Sequence, residues 1–209
     1  NERGEIRYGL GAIKGAGQAA MEHLVEKRES QGPYLNLFEL TQRLDTRKVG
    51  KRVLEPLIQS GACDDFGVHR ASLFLSVEKA LKAAAQQSKN SAQGQDDLFA
   101  MVDDSDAVAL SMDYTGCPEW PSTVLLQGEK STLGYYLSGH PMQSYLTEIA
   151  QLTSTKLNQL VDKQSKTVTV VGMLIAFRTI LTRKGKRMAI LQLEDDTQRI
   201  DVTVFSKLY

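Results

Sequence analysis

The apolar residues of this chain change their spacing once, near Lys166, and no other feature constrains the fold as strongly. Before that point they recur at helical intervals; after it they alternate by twos. Ala20, Met21, Leu24 and Val25 share one face of a helix that starts near Gln18. The Gly32-Pro33 pair breaks it, and residues 35–40 fit a short second helix ending before Asp45-Thr46. Val53, Leu54, Leu57 and Ile58 mark a third helix over residues 49–60, which Gly61 ends by supplying a left-handed residue. A fourth is expected over about residues 68–87. Residues 1–87 therefore read as an all-α module of short helices joined by glycine-bearing turns.

Beyond Lys166, residues 167–175 are β-branched and apolar, while residues 187–194 and 199–205 alternate. Three strands fit, joined by hairpin-like turns at residues 182–186 and 195–198. Between the two regimes, residues 86–95 (QQSKNSAQGQ) hold too few apolar side chains to offset their ordering entropy and read as a linker. Residues 103–115 look similarly loose and acidic, and order is expected to return around residues 117–121 and 132–149. The fold class is α+β, divided as residues 1–87, a linker at 88–116, a connecting helical segment at 117–166 and a β region at 167–209.

Lys+Arg 25 and Asp+Glu 25 cancel, which would argue against a polyanionic partner if the charges were evenly mixed. They are zoned. Residues 1–90 carry fourteen Lys/Arg and eleven Asp/Glu, net +3; residues 91–155 carry one and nine, net −8; residues 156–209 carry ten and five, net +5. Basic ends around an acidic middle suit separate modules with separate partners, or ordinary surface variation. With 42% hydrophobic residues the chain can fill one or two cores. Its longest apolar runs fall short of the about 18 residues of a membrane span, so no membrane partner is expected. Cys63 and Cys117 stand apart with no CxxC and no His at ligand spacing, which favours a reducing compartment over a zinc site. The opening at Asn1, without Met, reads as a piece of a longer protein.

Three motifs carry possible chemistry. Lys14, Gly15, Gly17 and Gln18 lie directly ahead of the first helix, where a Gly-x-Gly turn leaves backbone amides open and lets a phosphate approach a helix N-terminus. That is the layout of a helix-hairpin-helix element, which holds a nucleic-acid backbone without reading bases; it is also the layout of a plain tight turn. Gly61, followed by His69 and Arg70 at the start of another helix, repeats it, with His69 read as a capping or surface histidine rather than a catalytic one. Gln95, Asp96, Asp97, Leu98 and Phe99 place an apolar pair inside a polar tether, which suits docking into a partner's pocket or folding back on the chain itself. Phe177, Arg178, Arg183, Lys184, Lys186 and Arg187 mix cations with an aromatic around the first β-turn, with Phe205 nearby in the strand pattern, a composition that suits single-stranded nucleic acid, or a solvated turn with both phenylalanines buried in a barrel. No Ser/His/Asp set, GxSxG, Walker loop or HExxH is present, and the adjacent pairs Asp64-Asp65, Asp103-Asp104 and Asp195-Asp196 read as turns rather than convergent metal ligands.

Taken in order, residues 6–15 (IRYGLGAIKG), residues 52–55 through Ser60-Gly61-Ala62, His69-Arg70-Ala71, Gln95-x-x-Leu98-Phe99 and residues 132–141 (TLGYYLSGHP) resemble the catalytic α subunits of bacterial replicative DNA polymerase III, the C-family polymerases. The resemblance covers nearly the whole chain in the family's order. It implies a tandem helix-hairpin-helix domain gripping duplex DNA, an internal sliding-clamp motif at residues 95–99 and an OB-fold from about Thr167 that meets single-stranded template. It further implies other replicase subunits as partners, a cytoplasmic setting, and Mg2+ at a parent active site whose carboxylates lie upstream of Asn1. The chain alone would then hold no cofactor and have no polymerase activity. Two departures stand out. Cys63 replaces a usual aromatic residue, and three strands fall short of the five of an OB-fold, leaving an incomplete barrel with an unpaired edge. The alternative is a stand-alone nucleic-acid-binding adaptor of repair or recombination with Leu98 and Phe99 structural.

Overall fold

A computed structural model describes residues 8–92, 113–153, 155–161 and 167–209. The chain folds as two compact units, Asn1–Ser138 and Gly139–Tyr209. The division falls within the segment 117–166, so that residues 117–138 fold with the first unit.

In the first unit, α1 spans Gln18–Gln31, α2 Leu37–Arg43, α3 Lys51–Gln59, α4 Arg70–Ala92 and α5 Ser122–Leu133. Asn36 caps α2 by accepting the Glu39 N–H at 2.8 Å, while the Glu39 carboxylate accepts the Leu35 N–H at 2.8 Å, a reciprocal pairing close to a capping box. The end of α1 is tied to α2 by Arg43. Its Nη2 donates to the carbonyls of Lys27 (3.0 Å) and Gly32 (2.8 Å), its Nη1 to Glu39 and Pro33, and its Nε to Gln31. Packing against α2 and α3, α4 closes a core that includes Leu37, Phe38, Leu54, Ile58 and Leu73, all buried. Residues 113–120 also join this unit: the Leu37 N–H donates to the Tyr114 hydroxyl at 3.1 Å, and Trp120 meets Phe74 edge-on.

The fourth helix outruns its expected end. Gln86 to Ala92 continue α4 rather than opening the linker, because Gln, Ser, Lys and Ala tolerate helix and neither Gly nor Pro interrupts before Gly94.

The second unit begins with a 3-10 turn at Pro141–Tyr145 and α6 over Leu146–Leu152. Its sheet is an antiparallel meander, β1 (Met173–Leu181), β2 (Arg187–Glu194) and β3 (Arg199–Val204), in the order β1-β2-β3. The second and third strands fall where alternation puts them. The first is displaced from residues 167–175 to Met173–Leu181, because the turn at 182–186 sets its register and a bulge lies between Leu174 and Ala176. Asp195 builds the second turn by accepting the N–H groups of Thr197 and Gln198, each at 2.8 Å, and its other oxygen accepts the Leu157 N–H at 2.9 Å. Burial pushes its carboxyl pKa up, but these donors outweigh it and hold the group below the usual aspartate range. With helices and a three-stranded sheet among the described residues, the molecule is α+β.

Candidate nucleic-acid interface

Residues 10–18 form a turn that is apolar inside and open outside. Ile13 and Ala16 are buried, while Lys14, Gly15, Gly17 and Gln18 are exposed, so the backbone between the two anchors is presented to solvent. Gly15 lies against Pro56 of α3: an ideal Cβ there would stand 2.9 Å from the proline Cγ. Gly17, with φ +72°, is the N-cap of α1 and has no side chain to accept the first-turn amides. The Gln18 side chain donates along the helix to Glu22 at 2.9 Å, leaving that end uncovered by it. The Lys14 amide is occupied, donating to Thr132 O at 2.9 Å, and the Ala16 amide donates to Ile13 O. The open cradle is therefore the start of α1 together with the exposed Lys14 side chain.

The second junction has the same outline and a different interior. Gly61 ends α3 at φ +85°; its N–H donates to Ile58 O and the Ala62 N–H to Leu57 O, the paired bonds of a Schellman cap. The amides of Asp64, Phe66 and Gly67 are also bonded within the turn. His69 caps α4, its Nδ1 accepting the Ser72 N–H at 3.2 Å. Arg70 is not a surface cation. It is 7% exposed; Nε and Nη2 form a fork on Asp64 at 2.8 and 2.7 Å, and Nη1 reaches Glu129 at 3.0 Å. Arg70, expected at a phosphate contact, is thus held in an internal ion pair, and Gly61 lets its guanidinium lie across the turn, where any Cβ would collide with it.

Glu129, which the sequence does not single out, is fully buried at 0% exposure. It accepts the Leu137 and Ser138 N–H groups at 2.7 and 2.9 Å, the Ser138 hydroxyl, and Arg70. Burial raises its pKa, but the Ser138, Leu137 and Arg70 donors outweigh that and keep it below the ordinary glutamate value. Nothing in the local pattern Gly128-Glu129-Lys130 separates such a glutamate from a solvated one. Cys63, where an aromatic residue was expected, is buried, and burial pushes its thiol up to about 12, so it packs as an apolar side chain.

The β-turn set is only partly assembled. Arg183, Lys184 and Lys186 are exposed together at the turn between β1 and β2. Phe177 pairs with Leu191 and Arg178 with Ile190, so the two neighbours point to opposite faces of the sheet. Phe177 shares its face with Leu191, Val202 and Arg187, and is 67% exposed there. Gln95, Asp96, Asp97, Leu98 and Phe99 lie outside the described residues.

With this geometry in place, comparison with known proteins shows the class first. Residues 1–73 match a family described as "Helix-hairpin-helix motif". Over 99% of its length the chain is 43% identical to the DNA polymerase III subunit alpha of Pasteurella multocida, 41% identical to that of Escherichia coli and 40% identical to that of Vibrio cholerae. The chain spans 18% of the length of each of these relatives. It is a homologue, across its own length, of one region of the DNA polymerase III α subunit.

Proposed function

We propose that this chain is a DNA-binding and clamp-tethering region of a replicative DNA polymerase, serving processive template-directed synthesis in the cytoplasm. The observation that carries the reading is the first hairpin. An exposed lysine and an uncapped helix start, pinned from inside by Ile13 and Ala16, form a surface suited to a phosphodiester, in a chain homologous to a polymerase subunit. In this reading Lys14, Gly15, Gly17 and Gln18 contact duplex DNA, with His69 at the adjoining junction. The β region acts as an OB-fold-like surface for single strands through Arg183, Lys184, Lys186 and Arg187, with Phe177 and Arg178 on its two faces. Gln95, Asp96, Asp97, Leu98 and Phe99 dock on a sliding clamp, and other replicase subunits assemble around the parent protein. DNA-directed polymerase activity, with Mg2+, belongs to that parent. Among the described residues no group of three or more His, Cys, Asp or Glu could hold a metal ion. No helix among the described residues is long and apolar enough to cross a membrane.

Tethering needs only modest affinity, because a covalent link to a motif seated on a ring around DNA turns re-encounter into an intramolecular event. The test is a pair of titrations. Purified sliding clamp should bind the chain and lose affinity on Leu98→Ala/Phe99→Ala; equal affinity of the double variant would remove the clamp assignment. Labelled duplex should bind with a salt slope that drops by about 0.9 on Lys14→Ala; an unchanged slope would move the phosphate contact elsewhere.

A further inference from the structure

The helix-hairpin-helix match ends at residue 73, yet the first hairpin is held from outside it. Thr132 O, in the last turn of α5, accepts the Lys14 N–H at 2.9 Å, and Leu133 O accepts the Tyr8 hydroxyl at 3.4 Å. The Thr132 hydroxyl donates to Gly128 O at 2.8 Å and tightens the turn that carries its carbonyl. One turn earlier in α5 stands Glu129, whose carboxylate collects Arg70 Nη1, two backbone amides and the Ser138 hydroxyl. A buried carboxylate with four donors fixed around it has one low-energy placement, and so does the helix that bears it.

We infer that Glu129 is a positioning residue for the DNA contact, locking α5 so that its C-terminal carbonyl pins the Lys14 backbone and leaves the lysine side chain facing outward. This rests on the role proposed above for the first hairpin. The mechanical need is local. Lys14 is followed by Gly15 (φ +96°) and Gly17 (φ +72°), a stretch with much conformational freedom to lose. Without an acceptor outside the hairpin, the Lys14 peptide would be held only through its buried neighbours Ile13 and Ala16, and the freedom left to it would be lost when phosphate arrived, at a cost in affinity. With Thr132 O in place the turn is ordered beforehand. Arg70 thereby contributes to DNA binding without touching DNA, through its pair with Glu129.

A double-mutant cycle on the 209-residue chain tests this: wild type, Lys14→Ala, Glu129→Gln and the double variant, titrated with labelled duplex at one salt concentration, with folding monitored by circular dichroism. Lys14→Ala and Glu129→Gln are each expected to weaken binding about three- to tenfold, and the double variant to be within about twofold of Lys14→Ala alone. A purely structural Glu129 would cost the same factor in both backgrounds; that additivity, or unaltered binding by Glu129→Gln, overturns the inference. If Glu129→Gln unfolds, Ser138→Ala, which removes one donor and keeps the Arg70 pair, takes its place in the cycle with the same coupling expected. Wild type failing to bind duplex would sink the hairpin's role and this inference with it. Wild-type binding with additive losses would sink the inference alone.

Discussion

An alanine at Gly61 would meet two costs at once, a φ of +85° in the left-handed region and the Arg70 guanidinium in the space its Cβ needs. Gly17, at φ +72° with open space around it, would meet only the first. Gly17→Ala is therefore expected to lose about 1 kcal/mol of stability and Gly61→Ala about 2–3 kcal/mol. Urea unfolding of the two variants checks the difference, and equal losses would mean that Arg70 does not crowd the turn. Glu129 adds a pH dependence. Its folded pKa lies below the unfolded value, so its ionisation stabilises the fold above the unfolded-state pKa, and that contribution disappears as pH falls through the folded one. Glu129→Gln should flatten the acid limb of the stability curve below about pH 5. Parallel acid limbs in urea midpoints measured from neutral to acid pH would contradict this.

Between elements, single polar side chains decide much of the arrangement. All five N–H donors of Arg43 are used: two on carbonyls of the α1 end, two on Glu39 and Pro33, one on Gln31. A lysine keeps the charge and loses the fork. Arg43→Lys should destabilise the first unit by about 2 kcal/mol, read as a shift in denaturation midpoint, and a neutral result would show that the fork is ornamental. In the sheet, register divides what the sequence places side by side. Because Phe177 and Arg178 face opposite ways, only one of their alanine variants should weaken single-strand binding markedly, with the double variant within about 0.5 kcal/mol of it. Strong coupling between them would mean that one strand of nucleic acid touches both, which this register forbids.

For the whole molecule, a net charge of zero gives no overall attraction to DNA, and the acidic stretch of residues 91–155 opposes it. In the proposed reading, binding comes from the net-positive ends, at +3 and +5. The expected signature is an affinity that falls with salt by roughly 0.7–0.9 log units per phosphate neutralised for each log unit of salt. Affinity indifferent to salt, measured by anisotropy across a salt series, would speak against nucleic acid as the partner of either end.

The sequence by itself determined the element types, the start of α1 at Gln18, the Gly61 cap, the extents of β2 and β3, and the polymerase relationship. Period, capping residues and motif order are local properties, readable without knowing what packs where. Only tertiary structure decided that Arg70 is buried against Asp64 and Glu129 and that α5 holds the first hairpin. These depend on partners up to 125 positions away, as between Tyr8 and Leu133, and a side chain's charge says nothing of whether such a partner exists. The same limit applied to Phe177 and Arg178: alternation puts them on opposite faces, but which face is apolar follows from register with Leu191 and Val202.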